Sequence, residues 1–198
     1  MRTKLFIAAL TLGVVTLFTS CNKVPQAEID QANVAVDSAK AVDAEHYAAE
    51  AYTALQDSLN VALQLVEEQK SKMFGKYAVV KEKLAFVISQ ASVVKQQAIV
   101  RKAEMKSESD TLFTEVKALV EENKTLITKA PKGKEGKAAL EQIQAELAEI
   151  EASVNDATTL YNSENYFATV DKLKVAKDKS VSIKDELTAA ISKTKGKK

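Results

Sequence analysis

A chain of 198 residues that is 46% hydrophobic, with five glycines, two prolines and no tryptophan, has the apolar mass for a core and few breakers. That balance excludes a sheet sandwich and favours long helices closely packed through aliphatic and alanine side chains. A net charge of +1, one histidine and one cysteine leave no footprint for nucleic acid, no His/Cys zinc cage and no internal disulfide.

Residues 1–20 form an export signal. Arg2 and Lys4 supply a positive start, and Leu5 to Phe18 is uncharged, apolar and short for a membrane span. Cys21 follows at once. The stretch Leu17-Phe18-Thr19-Ser20-Cys21 resembles the lipobox of bacterial lipoproteins, in the looser form similar to signals of Bacteroidetes-type bacteria, with Phe18 where leucine is usual. The resemblance implies cleavage before Cys21, a diacylglyceryl group on its sulfur and an acylated amino terminus. Several acyl chains on one residue give stable anchoring. Asn22 in place of an aspartate, and no acidic cluster after it, resemble the outer-membrane class facing the periplasm; the cell surface is the alternative.

Residues 21–24 are the lipidated cysteine and a short tether, and residues 25–193 are the folded domain. Pro25 suits a helix start. Ile29, Ala32, Val36, Ala39 and Val42 or Asp43 give the first helix, 25–42. Asp43 is a cap for the second, which runs to 70 with Ala48, Ala51 or Tyr52, Leu55, Leu59, Ala62, Leu63 and Val66 on its apolar face. Nothing near 43 forbids one continuous helix. Met73-Phe74-Gly75 marks a break. The third helix, 76–128, has the clearest pattern: Tyr77, Val80, Leu84, Val87, Ala91, Val94, Ala98, Met105, Leu112, Val116, Leu119 and Leu126. That stripe is interrupted at Arg101, Glu108 and Asn123, with a kink expected around 106–110.

Residues 129–137 form a lysine-rich loop with Pro131, Gly133 and Gly136. A fourth helix follows, with Leu140, Ile143, Leu147, Ile150, Val154, Ala157 and Tyr161 in line. Asn162 or Ser163 caps a fifth, striped by Phe167, Val170, Leu173, Val181, Leu187 and Ile191. Residues 194–198 are a basic tail. The expected fold is all-α, an elongated antiparallel bundle of four or five long helices. Residues 22–70 hold three lysines against nine acids, while the remainder is mildly basic. Early and late helices are therefore expected to pack with complementary charge.

Three segments echo one another around a tyrosine near a helix start: Tyr47, Tyr77 and Tyr166. Each ring is expected to pack on a neighbouring helix with its hydroxyl in water. The echo resembles tetratricopeptide-type helical pairs. Pro25, Ala27, Ala32, Ala39, Tyr47, Ala51 and Leu55 are similar in placement to those of a bacterial lipoprotein family with an alanine-rich helical domain, domain of unknown function 4398. That resemblance covers roughly 25–100 and brings no catalytic residues.

Chemistry is thinly represented. His46 stands beside Glu45 and Glu50 as an exposed helix-start residue. Glu67-Glu68 and Glu121-Glu122 are adjacent pairs whose side chains diverge by about 100° on a helix. The stretch 133–137 lacks the spacing and the hydroxyl residue of a phosphate loop. No catalytic, metal or cofactor site is expected. The reading is a non-catalytic, membrane-anchored envelope protein that presents helical surface to an envelope protein partner. Its basic loop and tail are available to anionic lipid or the cell wall. The alternatives are a binder of lipid between helices and a self-associating coiled coil.

Overall fold

The computed structural model describes residues 23–131 and 133–195. The signal 1–20, Cys21 and residues 196–198 of the tail lie outside the described residues. Six helices follow in order: α1 (Gln26–Lys40), α2 (Ala44–Tyr47), α3 (Ala49–Lys70), α4 (Ala78–Lys129), α5 (Lys134–Asn162) and α6 (Tyr166–Lys195). The architecture is an elongated all-helical bundle, with no strand among the described residues.

The fold is organised on α4, whose 52 residues reach about 78 Å at 1.5 Å per residue. Its first half packs against α1, α2 and α3, and its second half against α5 and α6. Successive long helices are antiparallel, as short connections dictate. Between non-successive helices the direction is parallel. Glu28 of α1 meets Lys81 of α4 at 2.7 Å and Ser38 meets Lys95 at 2.7 Å, so both numbers rise together. Likewise Lys174 of α6 meets Glu108 at 2.7 Å and Lys184 meets Glu122 at 2.9 Å. The molecule is thus two up-down-up three-helix units that share one continuous helix.

The expected stripes form the core. Val80, Leu84, Val87, Ala91, Val94 and Ala98 are buried, as are Ile143, Leu147, Ile150, Val154 and Ala157. Burying a leucine such as Leu84 or Leu173, neither with any exposed surface, stabilises the fold by about 1.5–3 kcal/mol. The echo between Tyr77 and Tyr166 has a structural meaning. Buried positions recur at the same spacing after each: Val80, Leu84, Val87, Ala91, Val94 and Ala98 answer to Thr169, Leu173, Ala176, Ser180, Ile183 and Leu187. The third helices of the two units are built to one template.

Several details differ from the expectation. A reversal at 41–43 separates α1 from the next helix, because Asp43 adopts φ 60° and stops the first helix. Its carboxylate makes no cap; it turns to Lys102 at 3.1 Å instead. Asn165, not Asn162 or Ser163, caps α6, its side chain accepting from the Ala168 N–H at 3.2 Å. That shift puts Tyr166 in the core and Phe167 at the surface, with Val181 also outside. α4 passes 106–110 without a break. Its core stripe alternates steps of three and four, except that two fours follow one another at Val94–Ala98–Lys102 and at Leu112–Val116–Val120. The helix therefore keeps one face inward along both units. The second pair of fours buries Val120 and Asn123 and leaves Leu119 and Leu126 half-buried.

Candidate functional site

Two regions stand apart from routine packing. The first is the waist, where the corner before α2 and the corner before α6 converge on the middle of α4. Asp43 and Glu164, the two non-glycine residues with positive φ among the described residues, each at 60°, sit at those corners. Such a conformation is held only when its surroundings fix it. Here Lys102 does so, its Nζ 3.1 Å from both carboxylates and 5.9 Å from the Tyr47 ring centre. Burial alone would lower the Lys102 pKa. Hydrogen bonds to Glu164 and Asp43 outweigh that, and the group sits above its ordinary value.

Tyr47 ties the two units together. Its hydroxyl donates to the Glu164 carbonyl and accepts from the Tyr166 N–H, both at 3.2 Å. The expectation of a wet hydroxyl fails here because the second unit's corner lies over it. Tyr161 stacks edge-on against Phe113 and Tyr166, with ring centres 5.7 and 5.2 Å away, and donates to Asp110 at 2.7 Å. Beside Lys102 lies an open cleft of about 490 Å³ that includes His46 and Phe167. His46 is exposed on its rim, 3.9 Å from Glu45.

The second region is the outer face of the first unit. Val79, Phe86, Val93 and Val100 fall seven apart along α4 and are 56, 52, 47 and 47% exposed. A shallow groove runs between them and α3, floored by Ala51, Ala54 and Ser58. From Leu84 to Val94 there is no charged residue, and from Ala51 to Val66 only Asp57, in a chain that is 28% charged. Sequence reasoning followed only the buried stripe and missed this one, although its seven-residue spacing is visible in the sequence.

Three of the four remaining carboxylate candidates are engaged in surface pairs, and Glu68 is exposed. Glu67 meets Lys70, Glu121 meets Lys124, and Glu122 meets Lys184 across helices. Neither adjacent pair converges into a two-carboxylate site. Among the described residues, no group of three or more His, Cys, Asp and Glu is arranged to hold a metal ion. No described helix is long and apolar enough to cross a membrane. No family model, curated protein or solved structure matches this chain.

Proposed function

We propose that the protein is a non-catalytic envelope lipoprotein, held through Cys21 in the outer membrane facing the periplasm. Its working surface is the outer strip of α3 and α4, which receives a helix of an envelope protein partner. The observation that carries this reading is the strip Val79, Phe86, Val93 and Val100, whose central stretch from Leu84 to Val94 carries no charged residue. Apolar positions seven apart on a helix match the anchors of a second helix laid alongside. Exposed apolar rows on an otherwise charged surface mark interaction sites. A lipid held between helices would need an enclosed apolar chamber, and the grooves on this face open to solvent.

The test places a photo-crosslinking residue at Phe86, at Val93 and, as a comparison, at Val175 on α6, which is 57% exposed among charged neighbours. In intact cells, adducts to one envelope protein at 86 and 93 but not at 175 are expected. Adducts only to copies of the chain would point to a self-associating coiled coil, and adducts only to lipid to the lipid-binding reading. Mass spectrometry of the mature amino terminus tests the anchor separately: an unmodified Cys21 overturns it.

A further inference from the structure

The two most exposed large apolar side chains in the described structure are neighbours. Met73 is 92% and Phe74 72% exposed, both in the turn between α3 and α4. They are not on a loose loop. The Ser71 N–H donates to the Glu67 carbonyl, the Lys72 N–H to the Gln69 carbonyl, and the Lys76 N–H to the Gln69 side chain at 2.9 Å. Gly75 is buried so close to the Gln69 carbonyl that an added Cβ would lie 2.6 Å from it. The turn is closed on the inside and presents Met73 and Phe74 outward.

Lysines outnumber acids around them, with Glu67 and Glu68 standing just before the turn. Residues 69–77 contain Lys70, Lys72 and Lys76 and no acid. Lys70 is engaged by Glu67, while Lys72 and Lys76 are exposed. The nearest acid on α1, Glu28, is neutralised by Lys81. Because α1 runs parallel to α4 and α3 returns, this turn lies at the same end of the rod as Lys23, where the chain enters the described body. Only residue 22 separates Lys23 from Cys21.

We propose that this foot is a second membrane contact: Met73 and Phe74 insert among the lipids of the leaflet that holds the anchor, and Lys23, Lys72 and Lys76 meet its anionic headgroups. The proposal rests on the anchored reading above for its orientation. Two apolar side chains ringed by lysines match an interface that is apolar below and negative at its surface. The lipid chains hold the protein to the bilayer, and the foot sets the rod upright.

The chain has no tryptophan, so Phe74→Trp introduces a single reporter at an exposed position. The purified lipidated protein is reconstituted in phosphatidylglycerol–phosphatidylethanolamine vesicles, with and without bromine on the acyl chains. The foot predicts blue-shifted emission that brominated lipid quenches. Phe167→Trp at the waist, about 36 Å along α4 from the foot, is expected to show neither. A second arm uses the chain from residue 22, which retains every core residue and lacks the anchor. It is expected to bind the same vesicles weakly and salt-sensitively. Removing Lys72 or Lys76 should lower its partition about fivefold each, and Met73→Ser with Phe74→Ser by about a hundredfold or more. Protein that floats with the vesicles while Phe74→Trp stays water-like overturns the foot and leaves the anchor standing. Protein that fails to float overturns the anchor, and the second arm then decides the foot: no binding there overturns it.

Discussion

Replacing Tyr47 by phenylalanine isolates the link between the two units. The ring stays, with its packing and its contact with Lys102, and only one oxygen is lost. That oxygen makes two hydrogen bonds across more than a hundred residues of chain, to the Glu164 carbonyl and from the Tyr166 N–H. Each such bond contributes about 0.5–1.5 kcal/mol net, and an N–H left buried without a partner costs more. Both are at the long end of the range, 3.2 Å, so the lower half of the combined figure applies, about 1–2 kcal/mol. In a protein of this size, that lowers the melting temperature by about 2–8 °C. Tyr52 is the control. It is just as buried, 4% against 9% exposed, but no protein group bonds its hydroxyl, so Tyr52→Phe should fall within about 0.5 kcal/mol of the parent. Denaturant melts followed by circular dichroism give both values, and hydrogen exchange at the Tyr166 amide reports the local loss. Equal effects at the two tyrosines, or an unchanged Tyr166 amide, would refute the reasoning.

Asn123 is wholly buried, and its side-chain carbonyl oxygen is the one buried side-chain atom without a partner among the described residues. Its amide donates to the Ser180 carbonyl at 2.8 Å, a group already within α6. Asn123→Leu is expected to raise stability by about 1 kcal/mol, read as a higher urea midpoint at unchanged slope, and a lower midpoint would show that the site lacks room. The Lys81 hydrogen bond, followed by the backbone, holds Glu28 below its ordinary 4.5 against a weaker opposing effect of burial. The stabilisation from this pair is therefore complete above that value and disappears as pH falls through the lowered one. Glu28→Gln is expected to flatten the acid limb of stability against pH slightly, since the pair is largely solvated, and an unchanged limb would count against the pair.

The helices were legible because their stripes are long and their breakers few. Met73-Phe74-Gly75 and Pro131 with Gly133 marked ends that the structure keeps. Details went astray where one residue decides a face. Phe167 is the more apolar neighbour of Tyr166, yet the cap at Asn165 starts the helix so that Tyr166 turns inward. Asn123 looked like an interruption because a buried amide breaks an apolar pattern, but it lies in the core and bonds across to α6. The parallel pairing of α1 with α4 and of α4 with α6 depends on contacts between helices that are not consecutive, which loop lengths do not report. The charge asymmetry was legible only in part. Early acids do meet α4 at Glu28–Lys81 and Asp43–Lys102, but the lysines of α6 answer acids of α4 itself. As for the foot, turn chemistry explains Gly75 and says nothing about why two large apolar residues precede it.

Chain direction then constrains the proposed function. Since α1, α4 and α6 share one direction, the start of the folded chain and the Met73–Phe74 turn lie at one end, and the lysine-rich connection near Pro131 and the end of α6 at the other. About 78 Å of α4 separates them. In the anchored reading, the basic loop and tail are therefore held away from the headgroups that surround Cys21. Contact with cell-wall carboxylates remains open to them, and contact with the anchoring leaflet does not. The strip from Val79 to Val100 occupies the membrane-proximal half, within about 33 Å of the foot. A partner helix laid on that strip has to come from a protein that itself lies close to the same bilayer. The strip keeps one exposed face because α1 and α2 cover the opposite side of α4 and α3 covers only its flank. The same packing that builds the first unit thus leaves this face free and, in the anchored reading, fixes its height above the membrane.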